Sequence, residues 1–406
     1  MPYTPTASLA SELRSLPRAY WVLVMGWFIN RFGTFVNPFL TLFLTSRGHP
    51  PSAVALVLGA NGLGQFSAAL LGGYFSDRFG RRNTIVLGTL GNALAIFTLY
   101  FAQRIGAIVV MMFLAGFAGG FYMPASNALL ADLVPEPLRL RAYSAQRLAN
   151  NAGFAFGSAA AGFLIGISIF ALFAGDALTT AAFGIIALTM LPHGLRTQRK
   201  EASWSQAWTV LKRDRAFWAL CASTILTSFV FLQFSSTFSL EVKQRGLTLD
   251  LFGWHLRPEQ VFGMILAWNG TLVASCELLL TRWTQRFESR AVIMLGYVFL
   301  GGGFAMNALP GGVGTLFVAM TVFTVGEMLS QPMRSAYVAA LAPETMRGRY
   351  MGALAMAATS ANIFGPALSL PFHAWSPRGL WITCGVLGML AAGVLGCFGK
   401  RASGER

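Results

Sequence analysis

The chain has 406 residues, 55% of them hydrophobic and only 11% charged, with a mean hydropathy of +0.58. A water-soluble domain carries roughly 25% charged residues, so this composition excludes a soluble globular fold and points to the bilayer. The net charge of +15 does not signal nucleic acid, because the basic residues sit in short loops between apolar runs with few aromatics among them.

Taken in chain order, apolar segments punctuated by Gly, Pro or Arg-rich turns predict twelve membrane-spanning helices. They fall at about 19–45, 52–76, 84–103, 107–133, 141–166, 168–191, 216–242, 259–283, 291–309, 312–341, 348–373 and 379–398. The short alternating segments of a membrane β-barrel are absent. The first apolar run is long enough to span and is followed by others, so it reads as a span rather than a cleaved signal. Most Lys and Arg collect on the side that holds both termini. Only Arg47, Arg104, Lys243, Arg245, Arg257 and Arg378 fall in loops on the other side. The positive-inside rule then predicts cytoplasmic termini.

Cys221, Cys276, Cys384 and Cys397 lie in apolar stretches without metal or disulfide spacing, and His49, His193, His255 and His373 are scattered. No phosphate-cradling loop and no Ser/His/Asp constellation occurs. The expectation is a protein that is not an enzyme and needs no cofactor or metal.

The chain also repeats itself. Residues 133–141 read LVPEPLRLR and residues 341–349 read LAPETMRGR; the same offset aligns SDRFGRR at 76–82 with TQRFESR at 284–290, Pro124 with Pro332, and Gly157 with Gly365. This predicts an all-α membrane protein of two pseudo-symmetric six-helix bundles, 1–191 and 216–406. They are joined by a linker, 192–215, in which Trp204, Trp208 and Leu211 share one face of a short amphipathic helix.

Between spans 2 and 3 the chain reads Gly73-Tyr74-Phe75-Ser76-Asp77-Arg78-Phe79-Gly80-Arg81-Arg82. This stretch resembles the signature loop G-x-x-x-D-R-x-G-R-R of the major facilitator superfamily, with every defined position present. Together with twelve spans and duplicated halves, the resemblance covers nearly the whole chain and is greatest to the drug:proton antiporter group. It implies that Gly73, Asp77, Arg78, Gly80, Arg81 and Arg82 form a conformational latch between the halves, with Asp132 as a partner for Arg81. In the second copy Gln285 and Glu288 replace Asp77 and Gly80, and Glu277 is the candidate for the missing acid. Two antiporter features are incomplete. Met112 stands where an arginine precedes Gly116, and Ser158 replaces the proline of G-x-x-x-G-P at 153–158, although Gly365-Pro366 restores that pair in span 11.

Ionisable groups inside spans are costly and are functional candidates by default. Here they are Arg31, Arg147, Asp176, Glu327 and Arg334. The resemblance implies that spans 1, 4, 7 and 10 line a cavity, so Arg31 and Glu327 face it from opposite halves. Arginine keeps its proton and can hold an anion or an acid's charge, whereas a carboxyl group can exchange protons. Glu327 is therefore the first candidate for proton coupling and Asp176 the second, with a structural role as the competing reading for Asp176 and a buried ion pair for Arg31. Asn30, Asn37, Gln65, Tyr122, Asn127, Gln233, Trp268, Asn269, Tyr337 and Asn362 are the further candidates for substrate contact. The functional expectation is a monomeric transporter in the bacterial inner membrane that exports small amphipathic molecules in exchange for protons. The alternatives are a symporter or facilitator for an organic anion, and a lipid flippase or receptor on the same fold.

Overall fold

In hydrocarbon every backbone N–H and C=O must find a partner within the protein, and apolar runs of this length meet that demand as helices. The computed structural model describes residues 16–135, 138–193, 212–251, 253–343 and 346–399; the predicted linker helix lies outside them. The N-terminal half contains α1 (Arg18–Phe32), α2 (Val36–Ser46), α3 (Pro51–Phe79), α4 (Arg81–Phe101), α5 (Ile105–Leu133), α6 (Arg139–Ile167) and α7 (Ile169–Met190). The C-terminal half contains α8 (Arg215–Leu232), α9 (Phe238–Gln244), a small antiparallel hairpin of β1 (Leu249–Leu251) and β2 (Trp254–Leu256), α10 (Pro258–Thr284), α11 (Ser289–Ala305), α12 (Val313–Leu341), α13 (Arg347–Trp375) and α14 (Pro377–Phe398). We call the face bearing Arg18 and Phe398 proximal and the opposite face, with the hairpin, distal.

Among the described residues eleven helices are long and apolar enough to cross a membrane. The first span differs from the continuous helix predicted over 19–45. It crosses in two pieces, α1 and α2, interrupted at Gly33 to Phe35. The cause lies far away in the chain. The Asp176 carboxylate of α7 accepts hydrogen bonds from the backbone N–H groups of Phe35 at 3.0 Å and Val36 at 2.9 Å. These are among the donors that a new helix start leaves without partners. Pro38, in the first turn of α2, has no N–H to satisfy. The predicted seventh span is likewise divided. After Leu232 the Gln233 side chain accepts from the hydroxyls of Ser236 (3.3 Å) and Thr237 (2.8 Å) and donates to the Phe229 carbonyl (2.7 Å), before α9 resumes.

Packing changes character from one face to the other. Distally, one buried core draws on both halves, with Phe39 of α2 and Phe238 of α9 both edge-on to Phe262 of α10. Proximally, two separate cores form. One centres on Tyr20, Ile85, Leu129 and Phe183 in the N-terminal half; the other centres on Phe217, Ile293, Tyr297 and Tyr350 in the C-terminal half. The halves are thus closed together distally and part proximally. The crossing of α6 with α10 requires glycine: a β-carbon on Gly263 would lie 2.7 Å from the Ser158 carbonyl oxygen and 2.8 Å from Gly162 Cα. Small residues at such a crossing let two backbones touch where lipid supplies no hydrophobic drive for association.

Candidate functional site

Where the halves part, a cavity of about 860 Å³ opens between them. Its walls include Trp27 of α1, Asn127 of α5, Gln146 and Arg147 of α6, Glu277 of α10 and Ser335 of α12. Arg147 and Glu277 form an ion pair that joins the two halves. It lies on the proximal side of the glycine crossing of α6 and α10. Asn127 accepts from the Gln146 side chain at 3.2 Å and, through its backbone carbonyl, from the Tyr143 hydroxyl at 3.1 Å.

Farther toward the distal seal stand Arg31 and Glu327, one from each half. The Arg31 guanidinium lies 4.9 Å from the centre of the Phe154 ring, and its Nε has no hydrogen-bond partner. It is within electrostatic range of Tyr122 and Glu327. Glu327 is half-buried and accepts from Asn269 at 3.0 Å and from Gln331 at 3.5 Å, while Asn269 also donates to Thr324. The neighbours of this carboxylate are thus amides at hydrogen-bonding distance and arginines farther off, so its charge is not locked into one rigid pair. A group held in this way can change protonation without stranding a buried partner.

The remaining sequence candidates divide by where their helices turn them. Asn30 is buried and donates to Thr180 of α7 at 3.1 Å. Gln65 donates to Asn61 at 2.7 Å, and Asn61 to the Met112 carbonyl, which ties α3 to α5. Tyr122 packs edge-on to Phe183, and Asn37 is exposed near the start of α2. Asn362 lines a separate smaller pocket of about 210 Å³ with Gln331 and Arg334. Of the candidates for substrate contact only Asn127 is in the cavity wall itself, and three of the others are turned to quite different tasks. Gln233 is consumed by the break after α8. The Tyr337 hydroxyl donates to the Gly399 carbonyl at the end of α14. Trp268 lies in a lateral groove beside Trp254 and Phe317, donating to Thr321. Asp176, the second coupling candidate, has its Oδ2 engaged by the break in the first span. Glu277, the candidate for the missing acid, is paired with Arg147 of the other half. Trp27, Gln146, Asn150 and Asn151 were not assigned from sequence, and Arg147 stood out only as a charge within a span, yet all five line the cavity. The polar run Gln146-Arg147 followed by Asn150-Asn151 within an otherwise apolar span was the available signal.

The signature loop is built on a turn that only glycine adopts easily: Gly80 has φ +82° between α3 and α4. Arg81 then reaches across to α5, ion-paired with Asp132 and donating to the Ala128 carbonyl. Arg82 bonds the Asn83 side chain at 3.4 Å, and Arg78 is exposed at the end of α3. Gly73 and Asp77 belong to the last turns of α3, with the Asp77 side chain outside the described set. The Arg81–Asp132 pair lies within one half, where it fixes α4 to α5. Asp132→Asn is expected to slow transport about tenfold, a loss of ~1.4 kcal/mol, with unchanged membrane insertion. An unaltered rate in a reconstituted assay would show that the pair only anchors the loop.

Comparison with known proteins agrees with this architecture. A sequence profile of the Major Facilitator Superfamily matches residues 19–267 and 253–405. The Na(+), Li(+), K(+)/H(+) antiporter of Planococcus maritimus is 28% identical over 87% of this chain and 88% of its own length. Multidrug resistance protein MdtH of Aeromonas hydrophila is 25% identical over 94% of both. Among solved structures, a POT family transporter in complex with 5-aminolevulinic acid superposes with a TM-score of 0.78 over 93% of this chain and 95% of that one, at 15% identity. A point mutant of the nucleoside transporter NupG gives 0.76 over 93% and 100%, at 16% identity. With its two helical halves, its signature loop and a profile match along almost its whole length, the chain belongs to the major facilitator superfamily of membrane transporters, and within it is most like the drug:proton antiporters.

Proposed function

We propose that the protein exports small amphipathic molecules from the cytoplasm in exchange for protons, as a monomer in the bacterial inner membrane, with the proximal face cytoplasmic. The observation that carries this reading is the position of Glu327: a half-buried carboxylate between the cavity and the distal seal, held by amides, with Arg31 across from it in the other half. In this state the cavity faces the cytoplasm, from which an exporter must load. Rocking the halves about the site moves access to the opposite face. The positive-inside distribution of Lys and Arg supports the orientation, and the multidrug-resistance relatives support the substrate class. The signature loop and the duplicated halves favour a cycling transporter over a receptor.

The test is transport by purified protein in liposomes that enclose a pH-sensitive dye. Amphipathic cations, neutral drugs and organic anions are added in turn. At least one amphipathic compound is expected to drive proton movement opposite to its own, and Glu327→Gln is expected to lower that movement at least tenfold. Equal proton movement by Glu327→Gln, inserted to the same level, would overturn the assignment; co-movement with an organic anion would favour a symporter. A second reading, exchange of a monovalent inorganic cation for protons, is favoured by the Planococcus relative. Proton movement driven by Na⁺, Li⁺ or K⁺ alone would establish it.

A further inference from the structure

The Arg147–Glu277 pair is unequal. The Glu277 side chain is 8% exposed and the Arg147 side chain 41%. Taking the partner from a buried carboxylate strands a charge in a medium of low dielectric, which is strongly unfavourable. A guanidinium already two-fifths in water gives up little when it swings away, because its long stem can move the head without leaving it unsolvated. Arg147 is therefore cheap to release, and Glu277 is expensive to leave alone. Another positive charge in the place of Arg147 parts them at low cost.

The surrounding charges give that exchange a consequence. Facing Glu277 are Arg147 of α6 and, at longer range, Glu327 of α12. Facing Glu327 are Asn269 of α10, Gln331 on its own helix, Arg147 of α6 and Arg31 of α1. The two carboxylates thus share the field of one mobile arginine. Trp27, 7% exposed and lining the same cavity, carries an indole N–H without a partner. That donor suits a ligand with a hydrogen-bond acceptor.

We propose that Glu277 is a binding site for an organic cation, which displaces Arg147 from it, and that the displaced guanidinium turns its field on Glu327 and drives a proton off that carboxyl group to water on the proximal side. This rests on Glu327 as the coupling carboxylate. The charges balance: one cation enters, one proton leaves, Glu327 becomes a carboxylate opposite Arg147, and the net charge of the site is unchanged. Loading the substrate and discharging the proton become one event on the same side of the membrane, which antiport requires.

The test uses the purified full-length protein in detergent, weakly buffered, with tetraphenylphosphonium as the probe and an indicator dye to count protons. Wild type is expected to bind the cation and release close to one proton for each one bound. Glu277→Gln should weaken binding at least tenfold. Arg147→Gln should tighten it about tenfold by removing the competitor, and should uncouple proton release; a merely structural pair would not give that gain. Glu327→Gln should bind the cation and release nothing. Binding by Glu277→Gln equal to wild type, weaker binding by Arg147→Gln, or no cation binding by wild type would each overturn the inference. Wild type that exchanges neutral compounds for protons but binds no cation would sink this site and leave antiport standing. Cation binding that depends on Glu277 but frees no proton would sink the coupling through Glu327 and leave the cation site standing.

Discussion

Replacing Asp176 by alanine is expected to undo the division of the first span. Its carboxylate is the acceptor for the backbone N–H groups of Phe35 and Val36, and an unsatisfied backbone group in hydrocarbon costs several kcal/mol. A loss of at least ~3 kcal/mol is expected, since hydrogen bonds to an ionisable acceptor contribute about 1.5–3 kcal/mol each. Denaturant titration of the purified protein measures it. Asp176→Asn keeps an oxygen at the same place and should retain most of the stability together with proton movement in liposomes. The competing role, proton carriage by Asp176 itself, would appear as the opposite pattern: Asp176→Asn as stable as wild type but unable to move protons.

A second large effect is expected at the crossing of α6 and α10. In Gly263→Val the new β-carbon meets the Ser158 carbonyl and Gly162 Cα within 3 Å, and both are backbone atoms that cannot rotate aside. Overpacking of this kind costs ~1–3 kcal/mol. The cost falls on the state in which the distal ends are together. A bias of that size shifts the balance toward the distally open state by about 5- to 150-fold. Spin labels at Ser46 and Gln244, on the distal ends of α2 and α9, should show a longer separation in Gly263→Val than in wild type. An unchanged distance distribution in a folded variant would mean that the crossing does not set the balance.

The architecture was legible because the bilayer allows few solutions. Apolar runs of helix length, turn residues between them and a repeated signature fix the helices and their halves before any packing is known. The two breaks were not legible as breaks: polar residues do interrupt the apolar runs, Asn30-Arg31 with Gly33-Thr34 at the first and Gln233 with Ser235-Ser236-Thr237 at the second, but inside a span such residues read equally well as cavity lining. Gly33 and Thr34 mark the first only weakly, and the residue that stabilises it, Asp176, is 141 positions from Phe35. A one-dimensional pattern cannot announce such a partner. The same limit divided the site residues. Arg31 and Glu327 stood out because charge in an apolar run is rare. Among the amides and aromatics, Asn269 adjoins Glu327 while Asn30, Gln233 and Tyr337 serve helix contacts and breaks, and nothing in residue type separates them. Which way a helix turns each residue is decided by its neighbours. Trp268 shows this best, since Asn269 beside it points to Glu327 while the indole turns to the lateral groove.

The distal segments of the two divided spans are each fastened to their own half. Asp176 holds the start of α2 to α7, and Glu241 of α9 holds His373 of α13 at 2.8 Å while pairing with Arg245, which in turn grips the Asn307 carbonyl. Neither segment can flap open alone without abandoning charged partners away from water. Motion that exposes the distal side must therefore part the molecule along a single plane, between Phe39 and Phe262. There ring contacts let go, along with the exposed Arg257 guanidinium that donates to the Gly166 carbonyl. The rings can close again without penalty, and water stands ready to replace the arginine's bond.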